Sequence, residues 1–175
     1  MSVSPGPDQF EAPQIRLRGL EARDQPAHAA HLLRLSSVSR RARFHSALND
    51  NAVLAYSQRI DWQHALIFGA FVDGVLRGVG ELIPYAGRNE GEASFSIETD
   101  FQHMGIGKRL VLLTLLAARG SGLSRVHMDF IGDNLAMRRL ARDVGAISGY
   151  SEGVIHAVKV IPPRHDPATP GQPPT

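Results

Sequence analysis

The chain has 175 residues, 43% hydrophobic and 21% charged, which is enough for one globular domain with a sizeable core and excludes a disordered chain. Its formal net charge of +2 is too small for an electrostatic grip on nucleic acid or an anionic membrane surface, so neither is expected as a partner. It contains no cysteine, which removes disulfides, thiolate metal sites and cysteine nucleophiles.

Residues 1–13 and 162–175 are rich in Pro, Gly and small polar residues and read as flexible tails around a domain at residues 14–161. No apolar run reaches the roughly 18–20 residues of a membrane span, and Met1–Asp8 carry neither a basic flank nor an apolar segment, so a cytoplasmic location is expected. Ile15, Leu17 and Leu20 form a first strand. Asp24 and Pro26 then open a helix through Ala29, Ala30, Leu32, Leu33 and Leu35. On that helix His28 and His31 read as exposed residues, since no carboxylate–histidine motif accompanies them, and no metal is assigned. Ser37 is expected to cap a second helix with Arg40, Arg41, Arg43 and Phe44. Asn49 or Asp50 would cap a third, through Val53, Leu54 and Tyr56. Trp62 would plug the contact between these helices and the sheet.

From Ala65 the period shortens to that of strands. Leu66, Ile67, Phe68, Phe71 and Val72 lead to Asp73-Gly74, a hairpin turn whose residues tolerate positive φ, and Val75, Leu76, Val79, Leu82 and Ile83 continue beyond it. After a loop at residues 86–91, Ala93, Phe95 and Ile97 alternate with Glu92, Ser94, Ser96 and Glu98 on opposite faces. Residues 108–119 form a helix apolar on nearly every side. Val126, Met128 and Phe130 make a strand, in which His127 packs on the opposite face. Asp133 caps a helix with Leu140, Ala141 and Val144 that stops at Gly145, and residues 154–160 supply the last strand. Six strands result.

The chemistry concentrates in Gln102-His103-Met104-Gly105-Ile106-Gly107, between a strand and a buried helix. Two glycines one residue apart let backbone amides approach a ligand where a helix start already offers free N–H groups, so a pyrophosphate fits. The dinucleotide fingerprint fails because Leu110 or Lys108 stands where its third small residue belongs. The P-loop fails because Gln102 or Phe101 replaces its first glycine and Arg109 follows the lysine. What remains is Q-x-x-G-x-G, followed one strand later by Asp133-Asn134-Leu135-Ala136-Met137.

On these residues the chain resembles the GNAT superfamily of acyl-CoA-dependent N-acyltransferases, over Ile15 to Val160. Within it the chain looks closest to the bacterial protein-lysine acetyltransferases, through the run Leu35 to Phe44, Asp133-Asn134 with Met137, and Gly145-Ala146. The resemblance implies a mixed α/β fold with a central, mostly antiparallel, twisted sheet splayed into a V and flanked by helices. It implies acetyl-CoA as cosubstrate and an amine acceptor, either a protein lysine or a small molecule. Main-chain groups of Phe95 and Ile97 would meet the pantetheine and thioester. Gln102, His103, Met104, Gly105, Ile106 and Gly107, with Lys108 beside them, would wrap the pyrophosphate. Asn134, with Met137 on the same helix, would hold the pantetheine, and Arg138 or Arg139 would reach the nucleotide phosphates. Glu92 falls where lysine-acetylating members place their general base.

That role also follows from chemistry. An amine is protonated near pH 7 and must lose a proton before attacking a thioester, and a carboxylate on the polar face of the cleft strand can take it. Glu81, expected in the same cleft, and Glu98, expected at a bulge opening the cofactor loop, are reserve bases. His103 and Met104 stand where many relatives have Gly and Arg. Ala141 stands where many have a tyrosine that protonates the leaving thiolate, so Tyr150 or Ser148 is expected to substitute. His45 and His64 read as surface or hydrogen-bonded residues near the acceptor entrance, which residues 49–62 and 84–90 would shape. The final strand is expected to pair across a homodimer. The competing reading is a non-catalytic acyl-CoA-binding or sensing domain.

Overall fold

A computed structural model describes residues 13–163, and the two expected tails lie almost wholly outside that range. In chain order the elements are β1 (Ile15–Leu20), α1 (Gln25–Arg34), α2 (Ser37–Phe44), α3 (Asp50–Arg59), β2 (Leu66–Val72), β3 (Val75–Pro84), β4 (Glu90–Ile97), α4 (Ile106–Gly120), β5 (Arg125–Ile131), α5 (Leu135–Asp143), β6 (Ile147–Ser151) and β7 (Val154–Val160). The strands form one sheet in the order β1-β2-β3-β4-β5-β7-β6. Every neighbouring pair is antiparallel except β4 and β5.

Local chemistry explains most boundaries. Asp73 (φ 48°) and Gly74 (φ 82°) are both left-handed, as a two-residue hairpin turn between right-twisted strands requires. Ser36 Oγ accepts the Ser39 N–H at the start of α2, one residue before the expected Ser37. Asn49 Oδ1 accepts the Ala52 N–H on α3. At α5 the cap is Asn134, not Asp133, its Oδ1 taking the Met137 N–H at 3.1 Å. In both displaced cases two good capping residues stand side by side, and backbone geometry selects between them.

The strand β6 was not expected. All five of its residues are exposed, so it has no buried face to imprint alternation on the sequence. It forms through its ladder to β7 and the turn at Glu152 (φ 50°) and Gly153 (φ 85°). The core divides by sheet face. On one side α4 and α5 pack with Leu82, Ala93, Val126, Met128 and Phe130. On the other, Leu32 of α1, its C-cap Leu35 and Val53 of α3 pack together, and Leu20, Ile67, Leu76 and Val79 form a further cluster with Ala27, Ile60 and Trp62.

Candidate active site

The β4–β5 pairing ends almost as soon as it begins. Glu90, Gly91 and Glu92 stand opposite Arg125, Val126 and His127, after which the two strands run on without pairing and leave a V open towards their C-terminal ends. At one end of β4 the Tyr85 N–H donates to the Glu90 carbonyl, and at the other the Glu98 N–H donates to the Arg77 carbonyl. Even-numbered residues of β4 therefore bond to β3. By the alternation of an antiparallel ladder, the N–H and C=O groups of Ala93, Phe95 and Ile97 point into the V. The Ile97 carbonyl accepts from the Gln102 carboxamide at 3.2 Å, which ties the following loop to the strand. The β3–β4 register runs from Gly91 to Ile97 without a slip, so the bulge expected beside Glu98 is replaced by a regular strand whose partner departs.

The loop turns on two left-handed residues, His103 (φ 62°) and Gly105 (φ 75°). Gly105 is the N-cap of α4 and no side chain caps the helix, so its first-turn amides are bare at the positive end of the helix dipole. A Cβ on Gly107 would lie 3.4 Å from both Ile97 and Leu140. The helix start is thereby seated between the end of β4 and α5, at the mouth of the V. Gln102, His103 and Lys108 are exposed around it, while Ile106 is buried and Met104 half-buried. This set fits a diphosphate: bare amides, a left-handed glycine, the Lys108 ammonium and the hydrogen-bonding side chains of Gln102 and His103.

Glu92 occupies the last rung shared with β5, beside His127. Its side chain is exposed, and among the described residues it has no hydrogen-bond partner. Its neighbour Glu90 is engaged, accepting from His127 at 2.7 Å and from Arg125 at 3.0 Å. These bonds hold its carboxyl below the ordinary carboxylate value. The Tyr85 ring lies 5.7 Å from His127, and its hydroxyl is pushed up by burial, then by Glu92, Asp129 and Glu90. His127 thus bonds on the cleft side of the sheet instead of merely packing.

Two expectations fail on the same face. His28 and His31 are fully buried, not exposed. His28 bonds to Ser57 at 2.9 Å and Glu81 at 3.1 Å, and its ring meets Trp62 edge-on at 5.5 Å. His31 bonds to Ser96 at 2.9 Å and Glu98 at 3.1 Å. Glu81 does not share the cleft of Glu92: it is 1% exposed, accepts from Tyr56 and pairs with Arg43 at 2.9 Å. Burial pushes its carboxyl up, but Arg43, His28 and Tyr56 outweigh that and hold it at about 2. Glu98 is held in the same way, with burial outweighed by His31, Arg34 and Arg77, also at about 2. Both reserve bases are locked carboxylates. The sequence signal for this network was the spacing of two histidines along the apolar face of α1.

On the other arm of the V, Asn134 spends its oxygen on the helix cap, and its amide hydrogens have no hydrogen-bond partner among the described residues. Ala141 is 1% exposed within the core. Tyr150 and Ser148 are exposed on β6. His64 pairs with Asp61 at the surface, and the His45 Nε2 contacts the Asp129 carbonyl at 3.1 Å. A cavity of about 690 Å³ opens at the end of β5, with His45 and Tyr150 in its walls; Arg138 lines it and Arg139 does not. Among the described residues no group of three or more His, Asp or Glu is placed to hold a metal ion, and no helix is long and apolar enough to cross a membrane.

The family model described as the Acetyltransferase (GNAT) family matches residues 32–146. A Pseudomonas aeruginosa protein named as an acetyltransferase is 30% identical over 139 residues, covering 76% of this chain and 75% of that one. The crystal structure of the GNAT domain of S. lividans PAT superposes with a TM-score of 0.71 at 19% identity, covering 89% of this chain and 99% of the other. YncA from Salmonella typhimurium, solved with its cofactor acetyl-CoA, gives 0.63 at 14% identity over 89% and 98%. At these identities the two structures bear on the fold, and both share it.

Proposed function

Since the chain belongs to the GNAT acetyltransferase family, an acyltransferase family acting on amines, we propose that it transfers an acetyl group from acetyl-CoA directly to the amine of an acceptor, a small molecule or a protein lysine. The observation that carries this reading is the abrupt end of the β4–β5 ladder at Glu92 beside an uncapped helix start. Together they offer main-chain hydrogen bonds for an extended pantetheine arm and amides for its diphosphate.

The cosubstrate supplies an activated acyl group with a thiolate leaving group. Glu92 takes the proton of the incoming ammonium, and the freed nitrogen attacks the carbonyl. Main-chain N–H groups at Phe95 and Ile97 stabilise the developing oxyanion. The N–C bond forms and the C–S bond breaks; the second proton that the nitrogen sheds on becoming an amide passes to the departing sulfur, so that coenzyme A leaves as the thiol, or to solvent, so that it leaves as the thiolate. Gln102 braces the loop, Lys108 neutralises diphosphate charge with the His103 side chain beside it, and Asn134 and Met137 border the pantetheine. No covalent enzyme intermediate is needed.

The test is a thiol-release assay with acetyl-CoA over a panel of amines and lysine-bearing peptides, run beside calorimetric titration of acetyl-CoA. Release that depends on an amine is the expected result. Saturable binding without release for any acceptor overturns it in favour of an acyl-CoA sensor, a reading supported by the burial of Ala141 where relatives place their acid.

A further inference from the structure

Four charged side chains from four separate segments line the cavity at the end of β5: Arg41 on α2, Asp133 in the loop after β5, Arg138 on α5 and Glu152 at the β6–β7 turn. Among the described residues none of the four has an ion-pair partner. Their neighbours on α2 do: Arg40 pairs with Asp50 and Arg43 with Glu81. The cavity, about 690 Å³, falls in the range of roughly 300–1,000 Å³ typical of small-molecule sites. A purely anionic ligand would leave two carboxylates facing it, and a purely cationic one would leave two guanidiniums. A zwitterion satisfies both pairs.

The cavity is also in line with the proposed base. On one face of β5 the alternate residues are His127, opposite Glu92, then Asp129, whose carbonyl contacts His45 on the cavity wall, then Ile131, which lines the cavity. From the rung of Glu92 to Ile131 is about 13 Å at ~3.3 Å per residue. That span is divided between an extended side chain of four methylenes and the glutamate's own reach.

Resting on the acetyl-transfer reading above, we propose that the acceptor is a free diamino acid. Its α-carboxylate sits on Arg41 and Arg138, its α-ammonium on Asp133 and Glu152, and its side-chain amine extends to Glu92. A guanidinium fork suits the carboxylate in a way that a backbone amide of a protein lysine cannot exploit, because a lysine within a chain carries neither α-charge.

The experiment compares three acceptors on the full chain: L-lysine, cadaverine, which keeps the amine and lacks the carboxylate, and a lysine peptide blocked at both ends. L-lysine is expected to exceed the other two in kcat/KM by at least about tenfold, the scale of a lost charge-assisted pair. Arg41→Gln is expected to raise the KM for L-lysine about tenfold and to leave the KM for acetyl-CoA in place. Cadaverine or the blocked peptide matching L-lysine overturns the proposal, as does an Arg138→Gln effect confined to acetyl-CoA. If no amine releases thiol, the acetyl-transfer reading fails by itself. Calorimetry with L-lysine then decides the cavity: binding weakened by Arg41→Gln upholds a diamino-acid site, and absence of binding overturns it.

Discussion

Arg43 Nη2 stands 2.9 Å from Glu81 Oε2 with the two side chains only 8% and 1% exposed, so α2 is bound to β3 by an ion pair shut away from water. Removing one partner strands the other charge in the interior. Glu81→Ala is expected to cost about 3–5 kcal/mol, read as a shift in urea unfolding. Arg43→Met added to Glu81→Ala should recover part of that loss, because the orphaned charge goes with it.

Acid should act through the same groups. Glu81 and Glu98 are each held at about 2 against an ordinary 4.5, so their contribution to stability is complete above 4.5 and drains away as the pH falls towards 2. His31 is lowered from 6.5, chiefly by burial, so protonating the unfolded chain below 6.5 adds a loss of the same sign. Urea midpoints at pH 7, 5 and 3 are expected to fall at each step, most steeply in the last.

Glu92, exposed and without a partner among the described residues, should matter to turnover and not to folding. Glu92→Gln is expected to lower kcat by about 10²–10⁴, the usual contribution of a general base, with an unchanged thermal midpoint. A thiol-release pH profile that keeps its shape and height in this variant would remove Glu92 from the reaction.

Gly105 sits at φ 75° with open space around its absent side chain. Aspartate tolerates that conformation at a cost of about 1–2 kcal/mol, and it would set a carboxylate beside the bare amides of α4. Gly105→Asp is therefore expected to weaken coenzyme A binding by at least about tenfold in calorimetry while the protein remains folded.

Asn134 has two separable tasks. Asn134→Ala should lose the cap, about 1 kcal/mol, together with donor affinity. Asn134→Asp keeps a capping oxygen but removes the amide hydrogens, so it should match the parent in thermal unfolding and bind acetyl-CoA more weakly. Affinity unchanged from the parent in both variants would show that the carboxamide serves the helix alone.

The strands β2, β3 and β4 were legible because Asp73-Gly74 admits one kind of turn and because Ala93, Phe95 and Ile97 alternate cleanly with polar residues. The loop at Gln102 to Gly107 was legible for a similar reason, since its glycines are local punctuation. β6 was not, because Ile147, Ser148, Gly149, Tyr150 and Ser151 have no dry side, and pairing with β7 alone makes them a strand. The burial of His28 and His31 was hidden by distance along the chain: their carboxylates are Glu81 and Glu98, and the arginine that neutralises Glu81 arrives on another helix. The cavity beyond β5 draws on α2, α5 and a hairpin tip, so no single window of sequence contains it.

The groove proposed for the acyl donor is walled by peptide groups that the departure of β5 leaves bare. Peptide groups belong to every residue type, so drift among side chains can proceed there without erasing the hydrogen bonds. On the far side of the V, by contrast, the proposed acceptor site rests on individual charges such as Arg41 and Glu152, so a single substitution there would change what it recognises.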